Sequence, residues 1–348
     1  MTEVLRVDLT NPDPDIIARA AACLRRGGLV AFPTETVYGL GVHALDSAAV
    51  LNLFAAKERP ANDPLIVHVT SVDDLALLVA EVPATARELA ARFWPGPLTI
   101  VMRRSAAVPD AVTAGLATVA IRVPSHPVAR ALIAAARIPV AAPSANLFSR
   151  PSPTAAAHVM ADLGGRIDMI LDAGPTHVGV ESTVVDVSQD PPVILRPGVI
   201  GFDLLRTVMP HVGVLSDQPA EVAMPSPGLL TRHYSPHTPL LLYEGSRAAS
   251  LALMERDARH SIDEGKRVVV LAFAEDIERV EPWAAQVVRL GNEANSAEVA
   301  ARLYAALREA DACRGDVILM RTLTSTDALG IAIGDRLRRA AAGRVVRE

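Results

Sequence analysis

The most informative segment of the chain is Ala31-Phe32-Pro33-Thr34-Glu35-Thr36-Val37-Tyr38-Gly39-Leu40-Gly41. An apolar strand pattern from Leu29 to Phe32 leads into a predicted loop with several hydroxyl groups, one carboxylate and two glycines. One predicted helix later, Lys57 and Arg59 supply two positive charges. Loops at the ends of buried elements commonly carry catalytic and phosphate-binding groups on a rigid scaffold. The segment therefore predicts an enzyme that handles a phosphorylated ligand.

Composition narrows the class of protein. The chain has 348 residues, which is enough for two domains, and 50% of them are hydrophobic while 21% are charged. A net charge of −5 argues against a broad basic surface for nucleic acid. Two distant cysteines, Cys23 and Cys313, predict neither a disulfide framework nor a zinc site. With no signal-peptide pattern and no long apolar run, we expect a cytoplasmic protein without membrane spans.

Hydrophobic patterning predicts an α/β fold in three parts. Residues 1–208 alternate short apolar strands with helices, and residues 183–195 predict a hairpin. Residues 209–239 are rich in proline and polar residues and predict a linker, yet they contain Ser226-Pro-Gly and Arg232-His-Tyr-Ser-Pro. A linker of this length with such side chains predicts a functional segment. Residues 240–348 predict a smaller α/β domain built from βαβ units.

Several known motifs are excluded. Gly39-Leu-Gly41-Val-His-Ala44 has the spacing of a dinucleotide fingerprint, but about six residues separate it from the preceding strand, where the fingerprint needs a tight turn. The sequence contains no P-loop, no Gly-x-Ser-x-Gly elbow and no clustered metal ligands. These absences favour positioning and charge stabilisation at phosphate over covalent or metal-centred catalysis.

Cations and small polar groups at strand and helix ends are the candidate site. Lys57-x-Arg59 follows a helix, and Ser144-x-Asn146 follows an apolar strand. Lysine and arginine both bind phosphate, although two cations at a helix C-terminus also complement the helix dipole.

At three further positions, the sequence is consistent with either a ligand-binding or a structural role. Arg122 and Arg196 each end a predicted strand just before a proline, which suits anion binding or buried structural ion pairs. His68, inside a strand, is a ligand or a structural histidine.

Several of these motifs together resemble the YrdC-like family. They are Lys57-x-Arg59 with Ser144-x-Asn146, the loop from Pro33 to Leu40, Pro64-Leu-Ile-Val-His68, Trp94-Pro-Gly-Pro-Leu-Thr and Glu181-Ser-Thr-Val-Val-Asp186. The linker and the C-terminal α/β domain are similar to the long, two-domain form, the threonylcarbamoyl-AMP synthases. The resemblance covers essentially the whole chain.

The resemblance implies a twisted, open mixed sheet with helices, followed by a Rossmann-like domain. It implies an enzyme that converts L-threonine, bicarbonate or CO2, and ATP into L-threonylcarbamoyladenylate and pyrophosphate, assisted by Mg2+. It also implies that the product supplies a separate transferase complex that modifies adenosine beside the anticodon of tRNA.

The resemblance also assigns site residues. It implies that threonine is held by Thr36, His68, Arg122, Ala142 and Ser182. It implies that ATP is held by Lys57, Arg59, Asp63, Ser144, Asn146 and Arg196, with Thr118, Ser152 and Tyr234 beside it. Whether Asn62 or Asp63 faces the ligand stays open at this point.

Two rival functions are weighed against this one. A non-catalytic module that binds double-stranded RNA or tRNA fits the basic face of the family, but the acidic net charge argues against it. A carbamoyl-transferring hydrogenase maturation protein would need zinc-finger cysteines, and the chain has only two cysteines. The sequence therefore favours the synthase.

Overall fold

The computed structural model describes residues 1–215 and 233–347. They fall into two units. The first contains residues 1–148 and 152–215, and the second contains residues 149–151 and 233–347. Both are α/β structures, so the predicted fold class is confirmed.

Within residues 1–215, eleven strands form a single sheet. In chain order they are β1 (Glu3–Arg6), β2 (Val30–Pro33), β3 (Tyr38–His43), β4 (Ile66–His68), β5 (Leu98–Arg103), β6 (Thr118–Arg122), β7 (Val140–Ala141), β8 (Met169–Asp172), β9 (Thr183–Asp186), β10 (Val193–Arg196) and β11 (Gly213–Val214). Their spatial order is β1-β8-β2-β3-β7-β4-β6-β5-β9-β10-β11. The sheet contains parallel pairs, such as β4 with β6, and antiparallel pairs, such as β5 with β6, so it is mixed as predicted.

The helices of this unit begin and end where local chemistry favours it. They are α1 (Pro14–Arg25), α2 (Ser47–Lys57), α3 (Leu75–Leu78), α4 (Ala84–Phe93), α5 (Asp110–Thr113), α6 (Pro127–Ala136), α7 (Ala156–Leu163) and α8 (Phe202–Arg206). Asp46 is the N-cap of α2, since its carboxylate accepts hydrogen bonds from the amides of Ala48 and Ala49. At the other end, Glu58 is left-handed with φ 54°, which turns the chain toward Arg59.

The two faces of the sheet are covered differently. One face carries the large core, in which Val67, Ile100 and Ile121 pack with residues of α2 and α4. On the opposite face, α1 and α6 cover β2, β7 and β8. The rest of that face belongs to β4, β5, β6, β9 and β10, and its small apolar cluster contains no residue of a described helix. We call this part the open face, because no described helix packs on its apolar cluster.

The second unit has a five-stranded parallel sheet within residues 233–347. Its strands are β12 (Leu240–Glu244), β13 (Val268–Phe273), β14 (Gln286–Gly291), β15 (Val317–Arg321) and β16 (Val345–Arg347), in the order β14-β13-β15-β12-β16. Its helices are α9 (Arg247–Asp263), α10 (Ile277–Val280), α11 (Ser296–Ala312) and α12 (Ala328–Ala341). This alternation confirms the predicted smaller Rossmann-like domain.

At the C-terminal edge of this second sheet, Arg321 is buried in an ion-pair network. Its guanidinium lies 2.6 Å from the Asp276 carboxylate and 2.5 Å from that of Glu293, and it stacks on the ring of Phe273. These charges satisfy one another, so the network supports the fold.

The expected loop from Pro33 to Gly41 is shorter than the sequence indicates, because β3 begins at Tyr38. Glycines weaken a strand prediction, but Gly41 has a packing reason. A Cβ atom on Gly41 would lie 2.8 Å from the Phe32 ring and 3.0 Å from the Val140 side chain. Gly41 therefore allows neighbouring side chains to pack on β3, and the spacing that resembles a dinucleotide fingerprint lies in a strand.

The predicted end of the first domain at residue 208 falls before the last strand of its sheet. Met209 and Val212 are buried in the large core, and β11 pairs with β10. Residues 216–232 of the predicted 209–239 linker, including Ser226-Pro-Gly and Arg232, lie outside the described residues. The linker itself stays a prediction.

Replacing Gly41 by Ala is expected to lower the free energy of unfolding by about 1–3 kcal/mol, since the added methyl group overlaps Phe32. Urea denaturation measures the change. Gly213 is the matched control, because the nearest atom to its added Cβ lies 3.8 Å away. Gly213→Ala should change stability by less than about 0.5 kcal/mol. Equal stabilities for Gly41→Ala and the wild type would contradict this packing account.

Candidate active site

The open face has an apolar floor and polar residues at its end. Residues that alternate along a strand share a face of the sheet. The floor consists of Ile66, Val101, Ala120, Val184 and Leu195. By the same alternation His68 follows Ile66, and Arg122 follows Ala120, on the open face. His68 and Arg122 are directly opposite each other in the parallel pairing of β4 and β6. Two residues that the sequence places 54 positions apart thus become neighbours.

Arg122 is the centre of the first polar cluster, although it is only 4% exposed. Its Nε donates to the carbonyl of Gly96 at 3.2 Å, and its Nη1 donates to the Thr36 hydroxyl at 3.1 Å. Its Nη2 lies 2.7 Å from Oε1 of Glu35. Glu35 lies in the informative loop after β2, and Arg122 is the last residue of β6. Arg122 is therefore held from three sides by separate parts of the chain.

The charges of this cluster are fixed by burial and by each other. Burial alone would raise the pKa of Glu35, but the attraction and hydrogen bonding of Arg122 outweigh it and hold that pKa below its ordinary value. Burial, with a contribution from Arg122, lowers the pKa of His68 to about 3. At neutral pH the cluster therefore contains one cation, one carboxylate and a neutral imidazole.

The threonine loop is ordered by its own hydroxyls. The hydroxyl groups of Thr34 and Thr36 lie 2.8 Å apart, and that of Thr34 also donates to the carbonyl of Val37 at 2.7 Å. The amides of Val178 and Gly179 donate to the carbonyls of Glu35 and Thr36. These contacts bring the loop against the segment that leads to Ser182.

The second polar cluster contains the predicted tetrad. Lys57, the last residue of α2 and 1% exposed, donates to the carbonyls of Ser144, at 2.5 Å, and of Asn146. Its ammonium group therefore reaches another loop and not the carbonyls at the end of its own helix. Burial, with Arg59 nearby, lowers the pKa of Lys57 well below its ordinary value. The structure thus joins Lys57 directly to the Ser144–Asn146 segment.

Arg59 and Asp63 form a buried ion pair in the same cluster. Arg59 donates to the carbonyls of Asp63 and Pro64, and its Nη2 lies 2.9 Å from Oδ2 of Asp63. Burial raises the pKa of Asp63 against the opposing fields of Arg59, Lys57 and Arg196. Asp63 is thus a buried acid among basic side chains, whereas Asn62 is exposed. Which of the two residues faces the ligand stays a prediction.

Arg196 links the two clusters through Ser182. Its Nε and Nη2 donate to the carbonyl and the hydroxyl of Ser182, each at 3.1 Å. The Ser182 hydroxyl lies 2.8 Å from that of Thr99. The next residue, Thr183, donates its amide to Pro97, beside the Gly96 carbonyl that Arg122 contacts. A continuous run of contacts therefore leads from Arg196 to Arg122.

The remaining predicted residues of the first unit lie at different places, and not all of them reach a polar cluster. Ser152 donates to the buried Glu181 carboxylate at 2.6 Å, and the Ala142 amide donates to the carbonyl of Ile66. Thr118 begins β6 on the open face, four residues before Arg122 and about 13 Å away along the strand. The structure does not bring Thr118 to either polar cluster.

Tyr234 belongs to the second unit. Its ring packs against Tyr304, with the ring centres 5.4 Å apart, and the Arg336 guanidinium lies 5.8 Å from its centre. Its predicted place beside ATP stays a prediction.

Three polar residues of the site have no role in the sequence analysis. They are Glu35, Thr99 and Glu181, all buried. For Glu35 a signal existed, because it is the single carboxylate of the informative loop. Thr99 and Glu181 lie in two of the motifs that resemble the family, but their contacts depend on which strands become neighbours.

The described residues contain neither a candidate metal-binding group nor a helix that could span a membrane. Within 1–215 and 233–347, no three His, Cys, Asp or Glu side chains come together as a group able to hold a metal ion. Among the helices in that part of the chain, none is long and apolar enough to cross a membrane.

Comparison with known proteins identifies the family. Residues 22–198 match the Sua5/YciO/YrdC family, described as telomere recombination, and residues 200–342 match the threonylcarbamoyl-AMP synthase C-terminal domain. The chain belongs to the threonylcarbamoyl-AMP synthase family. This membership confirms the predicted family and the predicted synthase over the two rival functions.

Similar proteins cover nearly the whole chain. The threonylcarbamoyl-AMP synthase of Bacillus subtilis is 45% identical over 98% of this chain and 96% of its own. That of Pyrococcus abyssi is 42% identical over 94% of each chain. The crystal structure of P. abyssi Sua5 complexed with L-threonine matches 100% of both chains with a TM-score of 0.93 and 40% identity.

Replacing Glu35 by Gln is expected to lower the free energy of unfolding by about 3 kcal/mol at pH 7, because Arg122 stays charged and buried without its counterion. The folded-state pKa of Glu35 lies below its ordinary value of 4.5. The contribution of Glu35 to the free energy of unfolding is therefore complete above pH 4.5, and it is lost as the pH falls through the lower folded-state pKa. Denaturation between pH 7 and pH 3 should show that the unfolding free energies of the wild type and the variant converge only below about pH 4.5. A difference that is constant over this range would contradict the ion pair.

Proposed function

We propose that the chain joins L-threonine, bicarbonate or CO2, and ATP to give L-threonylcarbamoyladenylate and pyrophosphate, with the open face as the active site. The observation that carries the proposal is the pair of buried cationic clusters on one sheet, linked by Arg196 and Ser182. One cluster suits an amino-acid carboxylate, and the other suits a triphosphate. Family membership supplies the reaction.

Threonine is held by the first cluster in this proposal. Arginine has five donors, and the contacts of Arg122 with Gly96, Thr36 and Glu35 occupy three of them. The remaining two can grip both oxygens of a carboxylate. Thr36, His68, Ala142 and Ser182 complete the threonine site. Because burial excludes water, each charge-assisted contact is stronger there than at the surface.

ATP is held by the second cluster. Lys57, Arg59 and Arg196 supply positive charge, while Ser144 and Asn146 supply hydrogen-bonding groups. Asp63 pairs with Arg59 and so orients its guanidinium. Ser152, Thr118 and Tyr234 are kept beside ATP in the proposal, on the family resemblance alone.

The chemistry requires no nucleophile from the protein. The neutral amine of threonine attacks CO2 to form a carbamate, and a carbamate oxygen then attacks the α-phosphorus. The bond from that phosphorus to the bridging oxygen breaks, and pyrophosphate leaves. Preorganised cations stabilise the charge that develops on the leaving group. This agrees with a site built from cations, hydroxyls and amides.

Mg2+ accompanies ATP in this proposal as part of the substrate. The described residues offer no group of acidic ligands, and Asp63 is engaged by Arg59. Magnesium in nucleotide sites is commonly held by phosphates and water with few protein ligands.

The cellular setting is also part of the proposal. We propose a cytoplasmic enzyme whose product is passed to a tRNA threonylcarbamoyl transferase complex, with at most weak binding of RNA.

Release of pyrophosphate from ATP tests the function. With purified protein and Mg2+, release should require both L-threonine and bicarbonate, and omission of either should abolish it. Release that needs neither would indicate ATP hydrolysis. No release under any combination, with RNA retained in a salt-dependent manner, would favour the RNA-binding module.

Two substitutions should separate the substrate sites. Arg59→Ala should lower kcat/KM for ATP about 10- to 100-fold, because a charge-assisted contact is lost, and leave the Kd for L-threonine within about twofold. Arg122→Lys should raise the Kd for L-threonine by a similar factor, since lysine cannot grip two oxygens. Exposed Arg19, replaced by Ala, serves as the control that changes neither value. Equal losses for both substrates in both variants would contradict separate sites.

A further inference from the structure

The first polar cluster contains buried atoms whose hydrogen-bonding capacity is unused. Oε2 of Glu35 and Nδ1 of His68 make no hydrogen bond of good geometry to any described residue, whereas Oε1 of Glu35 pairs with Nη2 of Arg122. The side chains of Glu35, His68 and Arg122 are 2%, 3% and 4% exposed, respectively. More than 90% of buried polar groups in proteins are hydrogen-bonded, so two exceptions in one cluster require an explanation.

These three side chains share one location. Glu35 and Arg122 form an ion pair at 2.7 Å, and His68 lies opposite Arg122 in the strand register. The charges of Glu35 and Arg122 both act on the His68 imidazole. The three side chains therefore form one polar cluster.

The donors and acceptors define the chemistry of a ligand for this cluster. An ionised carboxylate only accepts hydrogen bonds, a guanidinium only donates them, and a neutral imidazole does one with each nitrogen. The cluster thus offers acceptors on Glu35 directly beside donors on Arg122. A zwitterionic α-amino acid presents the complement, because its carboxylate and its ammonium group are attached to the same carbon.

We propose that Glu35 binds the α-ammonium group of the amino-acid substrate while Arg122 binds its carboxylate. The inference rests on the proposed function, since it concerns the threonine site. It gives Glu35 a contact with the substrate in addition to its ion pair with Arg122.

The assignment has a consequence for the reaction. Carbamate formation converts the ammonium group into an anion, with the loss of two protons. A contact with Glu35 that attracts the substrate thus becomes repulsive once the carbamate exists. Glu35 therefore favours substrate entry and disfavours retention of the carbamate.

The rival role for Glu35 is to position Arg122 without touching the substrate. The two roles differ in what happens to a ligand that lacks the amine. (R)-3-Hydroxybutyrate has the carboxylate, the hydroxyl and the methyl group of L-threonine but no ammonium group. A positioning role affects both ligands equally, whereas an ammonium contact affects only L-threonine.

Calorimetric titration of the full-length chain with each ligand tests the proposal. The wild type should bind L-threonine about 10- to 100-fold more tightly than (R)-3-hydroxybutyrate, because one charge-assisted contact distinguishes them. Glu35→Gln should raise the Kd for L-threonine by about the same factor and change that for the analogue by less than about threefold. Glu35→Asp, which keeps the charge, should give an intermediate Kd for L-threonine.

A buried carboxylate outside the site gives the matched control. Asp186 accepts hydrogen bonds from Ser188 and Gln189, and it is 7% exposed. Asp186→Asn should leave both Kd values unchanged.

Three results would overturn the inference. Equal Kd values of the wild type for L-threonine and (R)-3-hydroxybutyrate would overturn it without any variant. The test therefore stays decisive even where Glu35→Gln does not fold. Equal weakening of both ligands by Glu35→Gln would reduce Glu35 to a positioning residue. No binding of L-threonine to the wild type would remove the proposed function together with the inference.

Discussion

A buried guanidinium must be paired, and the pairing of Arg122 organises the first unit. Arg122 ends β6 on the sheet face that no described helix covers, where burial makes an uncompensated charge costly. Glu35 supplies the counter-charge, Gly96 a carbonyl and Thr36 a hydroxyl. These contacts fix the loop after β2, the turn before β5 and the end of β6 relative to one another. The geometry of the first polar cluster follows from that single requirement.

The second cluster obeys the same constraint with different partners. Lys57 is held by backbone carbonyls, and Arg59 by a carboxylate and two carbonyls. Both side chains are therefore desolvated and held in fixed positions, as preorganised phosphate-binding groups would be. The pKa of Asp63 is raised by burial despite these neighbours, so its charge is weakly held. Two buried cation–carboxylate pairs, Arg122–Glu35 and Arg59–Asp63, thus hold the two polar clusters of the first unit.

The sequence predicts what depends on local pattern. The hairpin of β9 and β10 follows from apolar patterning and turn residues. The sequence does not predict strand β3, because Gly41 is explained only by Phe32 and Val140 on neighbouring strands. Likewise, the partnership of Glu35 with Arg122 depends on an eleven-stranded order that no local pattern encodes. Motif resemblance found Arg122 and Lys57, since those residues lie in recognisable segments, but it gave no contact between them and their partners.

The most direct measurement is a crystal structure of this chain in complex with L-threonine. The account predicts both carboxylate oxygens of threonine within about 3.2 Å of Arg122 and the α-ammonium nitrogen within about 3.2 Å of a Glu35 oxygen. A threonine whose carboxylate is bound by Arg122 but whose ammonium nitrogen faces away from Glu35 would contradict the central claim. That result would leave Glu35 as a counterion of the protein alone.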